Sequence, residues 1–475
     1  MKRIYLSALF LGVLLSAPSF AADGYSTQVY DGAGWQRFGM STYPLNLSSS
    51  PTGTGVQDTS LIYNPASAWS GYNWLMSTYT DSAAAATAMA TGQKTYNNAI
   101  NWSDFNTALT PTIVEAFHNA GKATGTISSV QFSHATPAGL SDAHSVTRND
   151  YAGIANQMLN GNLDVIMGCG NPDYNDNGQS ATNDARYVGG TDTWNQLKTG
   201  THAGGWQLNQ SLADFQTLAT GNPTGRVLGV PQTYTTLQQA RSGYSSTDTP
   251  YSVPQNTEVP SLELMTRGAL NVLDNNQNGF FLHVEGGAVD WANHANQEAR
   301  MIEEQIDFNN SVEAVCDWVE TNSSWDETLL IITADHECGL VWGESSDSQD
   351  FDPVTDNGPG VMPGVRYLSG NHTNSLVPLY ARGAGAELMQ SLIDGNDPAA
   401  AAEWLYANGW NGDYLDNTDI FTLMNAGLAK NVILMISDGA GHNTFDAASM
   451  YQGRWIPEPA SLALLLIGAL ALRRR

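Results

Sequence analysis

The chain has 475 residues, with 46 acidic against 19 basic side chains, a formal net charge of −27, and 42% hydrophobic against 14% charged residues. That length holds one large domain or two ordinary ones, and the hydrophobic share excludes both a disordered acidic tail and a membrane bundle. So acidic a surface repels phosphate backbones, which excludes stable nucleic-acid binding, and three scattered cysteines (Cys169, Cys316, Cys338) make no disulfide scaffold.

In chain order, Lys2-Arg3, an apolar stretch over 4–15 and Ser19-Phe20-Ala21 predict a signal peptide over 1–21, and hence export. A string Asp31-Gly32-Ala33-Gly34 follows, preceded by only two apolar residues. Ser82 opens an Ala-rich helix that Gly92 can end. A hydroxyl there faces free N–H groups and the positive end of the helix dipole, a good setting for an anion; as an isolated feature Ser82 would simply be an N-cap. A helix over 112–120 and a strand over 126–130 lead to His134-Ala135-Thr136-Pro137, then His144 and Arg148. The planar fork of Arg148 suits a tetrahedral oxyanion, although a surface salt bridge is its plainer use.

Further apolar runs over 163–167, 280–284, 329–333 and 432–436 alternate with helices over 262–273 and 298–320. Fully apolar strands separated by helices predict an α/β fold, a mostly parallel central sheet with helices on both faces. Gly/Asn/Asp-rich stretches over 171–205 and 344–370 read as surface insertions. Functional groups gather where such strands end, and three runs end in Glu285 (with Asp290 and His294 following), Asp335-His336 and Asp438. His372 precedes a further apolar stretch over 376–380. Nitrogen and carboxylate oxygen without thiolate suit Zn²⁺ and Mg²⁺.

The C-terminus reads Pro457-Glu458-Pro459, thirteen apolar residues over 460–472, then Arg473-Arg474-Arg475. It resembles the PEP-CTERM sorting signal of Gram-negative bacteria. That resemblance implies exosortase-type processing at the inner membrane and delivery to the periplasm, cell surface or extracellular matrix; a simple C-terminal anchor is the alternative, at a length short of the ~20 residues that span a bilayer.

The Thr-Asp-Ser-Ala helix start, Ala-Thr-Pro-Ala-Gly followed by His-x-x-x-Arg, Val-Glu-Gly-Gly with Asp-x-x-x-His, Thr-Ala-Asp-His and a late His-Thr together resemble the alkaline phosphatases. The resemblance covers most of the chain between the sorting segments, a catalytic domain over 22–455 with the tail over 456–475. It implies an alkaline phosphatase-like sandwich that hydrolyses small phosphate monoesters through a phosphoserine at Ser82, and it leaves a homodimer open. It implies one zinc held by Asp290, His294 and His372, a second by Asp438, Asp335 and His336, and a magnesium by Asp438, Thr136 and Glu285, with Arg148 clamping phosphate. His134 stands where some relatives have Asp, and Trp291 where others have Lys or His, which leaves the third metal's identity open. His144 is read as a supporting residue.

In that family the strand bearing the shared aspartate comes first; here it comes last, at 430–455, before the tail. Asp438 follows a nearly unbroken apolar run and Asp31 does not, so the metal role falls to Asp438. The order implies a circular permutation, which compact domains with neighbouring termini tolerate; the alternative is a misassembled, defective chain. Three rival functions stand beside the phosphomonoesterase. A phosphodiesterase of the same superfamily is disfavoured by Arg148, Thr136 and Glu285, and a sulfatase by the absence of Cys-x-Pro-x-Arg. A surface metal- or phosphate-binding protein without turnover is the third.

Overall fold

A computed structural model describes residues 27–221, 223–404 and 410–454. The signal-peptide and sorting-tail readings fall outside these residues. Among the described residues no helix is long and apolar enough to cross a membrane.

Among the described residues the body is an eleven-stranded sheet in the order Gly395–Asn396, Asp413–Asp416, Gln36–Ser41, Val377–Gly383, Thr328–Thr333, Asn431–Ile436, Phe280–Glu285, Ala123–Gln131, Val165–Cys169, Val227–Gly229, Gln207–Asn209. Seven of its ten pairings are parallel. All five strands predicted from apolar runs lie side by side in the parallel part, from Thr328–Thr333 to Val165–Cys169. Every residue of these strands is buried. Side chains alternate between the two faces of a strand, so complete burial means that both faces are covered.

Asn431–Ile436 sits at the centre, parallel to Phe280–Glu285 on one side and Thr328–Thr333 on the other. Val432 through Ile436 are at most 1% exposed, each buried side chain contributing roughly 1.5–3 kcal/mol. The helix that follows it, His442–Gln452, packs on the long helix Glu298–Asn322.

The sheet is mostly parallel, as expected, and turns antiparallel towards one end. Val377–Gly383 runs antiparallel to Thr328–Thr333, and Gln36–Ser41 antiparallel to it in turn. The 334–376 connection contains no helix. It begins and finishes at the same end of the sheet, so the strand it feeds runs back instead of crossing over. Predicted helices over 262–273 and 298–320 are present as Leu262–Leu273 and Glu298–Asn322; that over 112–120 is Ile113–Asn119, closed by a Thr112/Glu115 capping box. The 171–205 stretch holds a helix, Thr191–Thr199, that its polar composition conceals.

Candidate active site

Three neighbouring parallel strands end in register, Ile436 opposite both Glu285 and Thr333. The residues that follow therefore leave the sheet at one edge. His336 Nε2 lies 3.3 Å from Asp335 Oδ2 and 3.6 Å from Asp438 Oδ1, and all three residues are fully buried. Gly439 makes the turn after Asp438 with φ +73°, where a Cβ would come within 2.7 Å of the Asp290 backbone, so glycine is required twice over. Its N–H donates to Asp335 Oδ1 at 3.3 Å, and its carbonyl accepts from Asn293 Nδ2 at 3.0 Å.

Asp290 and His294 share one face of the short helix Ala288–His294, four residues apart. His294 Nε2 is 3.4 Å from Asp290 Oδ2, His372 Nε2 is 3.5 Å from Asp290 Oδ1, and the two imidazole Nε2 atoms are 3.1 Å apart. The other ring nitrogens face backbone carbonyls: His372 Nδ1 the oxygen of Thr80 at 2.9 Å, His294 Nδ1 that of Gly370 at 2.7 Å. A carbonyl can only accept, so each Nδ1 carries the proton and each Nε2 presents its lone pair to the cluster. The His336 and His372 rings stack at 3.6 Å and join the two groups.

Two sets of potential ligands emerge among the described residues, Asp290–His294–Cys338–His372 and Asp290–His336–Asp438, in each of which the ligand atoms lie within 4.8 Å of one another. Asp290 thus reaches both. Cys338 is the addition, against an expectation of potential ligands without a thiol. It is the cross-strand partner of His372, a pairing that sequence spacing does not reveal.

Glu285 accepts a hydrogen bond from Ser128 Oγ and interacts with Thr136 and Asp438. Thr136 lies on the short helix Ala135–Gly139, which packs against the Ser82 helix so tightly that a Cβ on Gly139 would meet Ala86 Cβ at 2.6 Å. The Ala-rich composition of that helix permits this approach.

Ser82 is the first residue of helix Ser82–Thr91, but the cap is Asp81, whose carboxylate accepts from the N–H groups of Ala84 and Asn98, each at 3.0 Å. Released from capping, Ser82 Oγ lies 3.1 Å from His336 Nε2. Asp81 also fixes Arg148, Oδ2 to Nη1 at 3.0 Å, while Arg148 Nη2 approaches His134 Nε2 at 3.4 Å. Burial opposes the charge on Arg148, but the Asp81 carboxylate outweighs it and holds the guanidinium above its ordinary pKa. Burial, then Arg148 itself, pushes the His134 imidazole far down, leaving it a neutral acceptor. His144 is turned away, its Nε2 3.1 Å from the Leu109 carbonyl. Asp31 lies in the single turn Val29–Asp31 beside Arg37 and is not among the residues gathered here.

Burial raises the carboxyls of Glu285, to about 8, of Asp335, and of Asp438 well above its usual range; neighbouring carboxylates add to the rise at Glu285 and Asp438, whereas at Asp335 the hydrogen bond with Asp438 opposes it. Burial lowers His336 to about 3 and His372 to about 4. Asp438 Oδ1 and Oδ2, Asp335 Oδ2, Asp290 Oδ1, Glu285 Oε1 and Thr136 Oγ1 are all buried without a hydrogen-bond partner. Burying such oxygens uncompensated costs several kcal/mol. Oxygens and imidazole nitrogens converging on one volume fit divalent cations, which supply the missing partner. An open cleft of about 620 Å³ gives access, with Ser82, Arg148 and His372 in its wall.

Residues 69–353 match the family model described as alkaline phosphatase. The alkaline phosphatase of Escherichia coli is 30% identical over 361 residues, 67% of this chain and 72% of its own length. Alkaline phosphatase 3 of Bacillus subtilis is 31% identical over 266 residues, 55% of this chain; this chain spans about half the length of that relative, 49%. The streptomycin-6-phosphate phosphatase of Streptomyces griseus is 30% identical over 357 residues, 66% of this chain and 75% of its own. Among solved structures, the alkaline phosphatase of Thermus thermophilus superposes with a TM-score of 0.56 at 22% identity, covering 87% of each chain. The cold-active enzyme of a Shewanella species superposes at 0.53 and 24%, covering 82% of this chain and 89% of that one. These two likenesses concern the fold.

Proposed function

We propose that this chain, which belongs to the alkaline phosphatase family, is an exported metal-dependent phosphomonoesterase that works through a phosphoserine at Ser82. The observation that carries this reading is the 3.1 Å approach of Ser82 Oγ to His336 Nε2 beside a cluster of buried carboxylates, each with at least one oxygen lacking a hydrogen-bond partner. Asp290, His294 and His372 would hold one zinc, Asp335, His336 and Asp438 a second, and Asp438, Glu285 and Thr136 a magnesium. Cations bound there neutralise the phosphate charge and lower the pKa of attacking oxygens.

The chain's own residues position the rest. Arg148, aimed by Asp81, grips two phosphate oxygens with its fork. Ser82 Oγ gives up its proton and attacks phosphorus, and the ester oxygen departs with the bonding pair and takes up a proton to leave as the alcohol. Water then loses a proton and attacks the phosphoserine; Ser82 Oγ departs with the bonding pair and regains a proton, returning the hydroxyl and inorganic phosphate. Phosphoryl transfer asks for positioning and charge neutralisation above all, and a rigid strand-end cluster supplies both.

The strand Asn431–Ile436 is, in this reading, the family's first strand moved to the end of the chain. Its central place in the sheet, with Asp438 delivered beside His336, supports a working permutation rather than a damaged phosphatase. The terminal segments fit export and surface delivery. Zinc and magnesium content measured together with turnover of p-nitrophenyl phosphate tests the reading: bound metal and turnover are expected, whereas bound metal with no turnover identifies a binding protein.

A further inference from the structure

Two aromatic rings line the cleft and have no part in the chemistry above. Tyr79 and Trp291 share its wall with Ser82 and Arg148, and both are only partly buried. Tyr79 meets the His372 ring edge to face, 5.8 Å between centroids at 62°. Trp291 meets the His134 ring in the same manner, at 5.6 Å and 66°. His372 belongs to one metal-ligand set, and His134 lies against Arg148. The two rings therefore flank the phosphate position, one on the metal side and the other on the guanidinium side.

Both are firmly backed. His134, against Trp291, stacks on Tyr151 at 6.4 Å and 12°, and Tyr151 packs edge-on against Tyr187 at 4.9 Å. His372, against Tyr79, is fixed through Nδ1 to the Thr80 carbonyl, the residue next to Tyr79 itself. A T-shaped contact engages one side of a ring, so each keeps surface for the cleft it lines. Rings held in this way lose little entropy on binding, and their apolar faces gain most from a flat partner.

With phosphate held between the metal ligands and Arg148, the ester group leaves the cleft past these two rings. A small polyol would leave their faces in water. A planar ring would cover them by stacking, an interaction that tolerates many ring types because each has a π-face. We infer that Tyr79 and Trp291 form a leaving-group subsite selecting phosphate monoesters that carry a flat aromatic or heteroaromatic ring. This rests on the phosphomonoesterase reading of the same site.

The test uses the full chain loaded with zinc and magnesium and two phosphonates, benzylphosphonate and ethylphosphonate, in which a CH₂ replaces the ester oxygen and hydrolysis is blocked. Calorimetry should find benzylphosphonate bound more tightly by roughly tenfold. Tyr79→Leu and Trp291→Leu should each reduce that ratio several-fold, and the double variant should bring it close to unity, with metal content measured to verify the folded site. Equal affinities in the parent, no binding of either compound, or a ratio preserved in the double variant would overturn the inference. Because neither compound turns over, a parent that prefers benzylphosphonate yet hydrolyses no monoester upholds the subsite and removes the phosphomonoesterase reading instead.

Discussion

Ser82 Oγ lies 3.1 Å from Nε2 of His336 across 254 residues of sequence. The contact exists because Asp81, and not Ser82, caps the helix, leaving the serine hydroxyl free to face the strand-end cluster. Ser82→Ala should therefore lower kcat for p-nitrophenyl phosphate by at least about a hundredfold while leaving metal content unchanged. A residual rate is expected from polarisation of phosphate and water by the cations. Steady-state kinetics beside metal analysis check this; unchanged kcat removes Ser82 from the chemistry.

Arg148 is held by Asp81 at 3.0 Å with its fork beside the cleft. Arg148→Ala should weaken monoester and inorganic phosphate binding by roughly 1.5–3 kcal/mol, the value of a charged hydrogen bond. Diesters, which carry one charge fewer, should lose less. The comparison of KM for the two substrate classes decides: equal losses would make Arg148 a structural residue.

Asp438 and Asp31 head the same four-residue string, and only Asp438 stands within 3.6 Å of His336. Asp438→Asn should remove the second zinc and the magnesium together, because both of its oxygens lack other partners. Asp31→Asn should leave metal content intact. Elemental analysis of the purified variants separates the two aspartates, and metal loss in the Asp31 variant alone would reverse their roles.

Asp307 links stability to pH away from the site. Burial raises its carboxyl from 3.8 to about 6, although it accepts the N–H groups of Leu262 and Glu263 at the start of their helix. The folded chain thus keeps a proton that the unfolded chain releases. Its contribution is complete below about pH 4 and is lost as pH rises through about 6. Asp307→Asn should flatten the fall in urea midpoint between those values relative to the parent. A steeper fall in the variant would contradict the assignment.

Much of the candidate site is legible in the sequence because apolar runs mark where parallel strands end, and several such ends carry ligand types together. The same logic separates Asp438 from Asp31, since five apolar residues precede one and two the other. Gln36–Ser41 escapes because its residues neither alternate nor form an apolar run, and Thr191–Thr199 because its polar composition imitates a loop. The antiparallel turn of Val377–Gly383 depends on the path of the 334–376 connection, which no local pattern encodes. Cys338 comes to the candidate metal ligands through its pairing with His372, and Asp81 serves both the helix end and Arg148; each is a relation between distant segments.

The central claim is that phosphate passes through Ser82. The most direct measurement is to incubate the metal-loaded protein with labelled phosphate monoester, quench in acid, and map the label by peptide mass spectrometry. The account predicts one phosphorylated peptide, modified at Ser82, that disappears in Ser82→Ala. Rapid turnover of the ester with no label on Ser82, or with label on another residue, would contradict it.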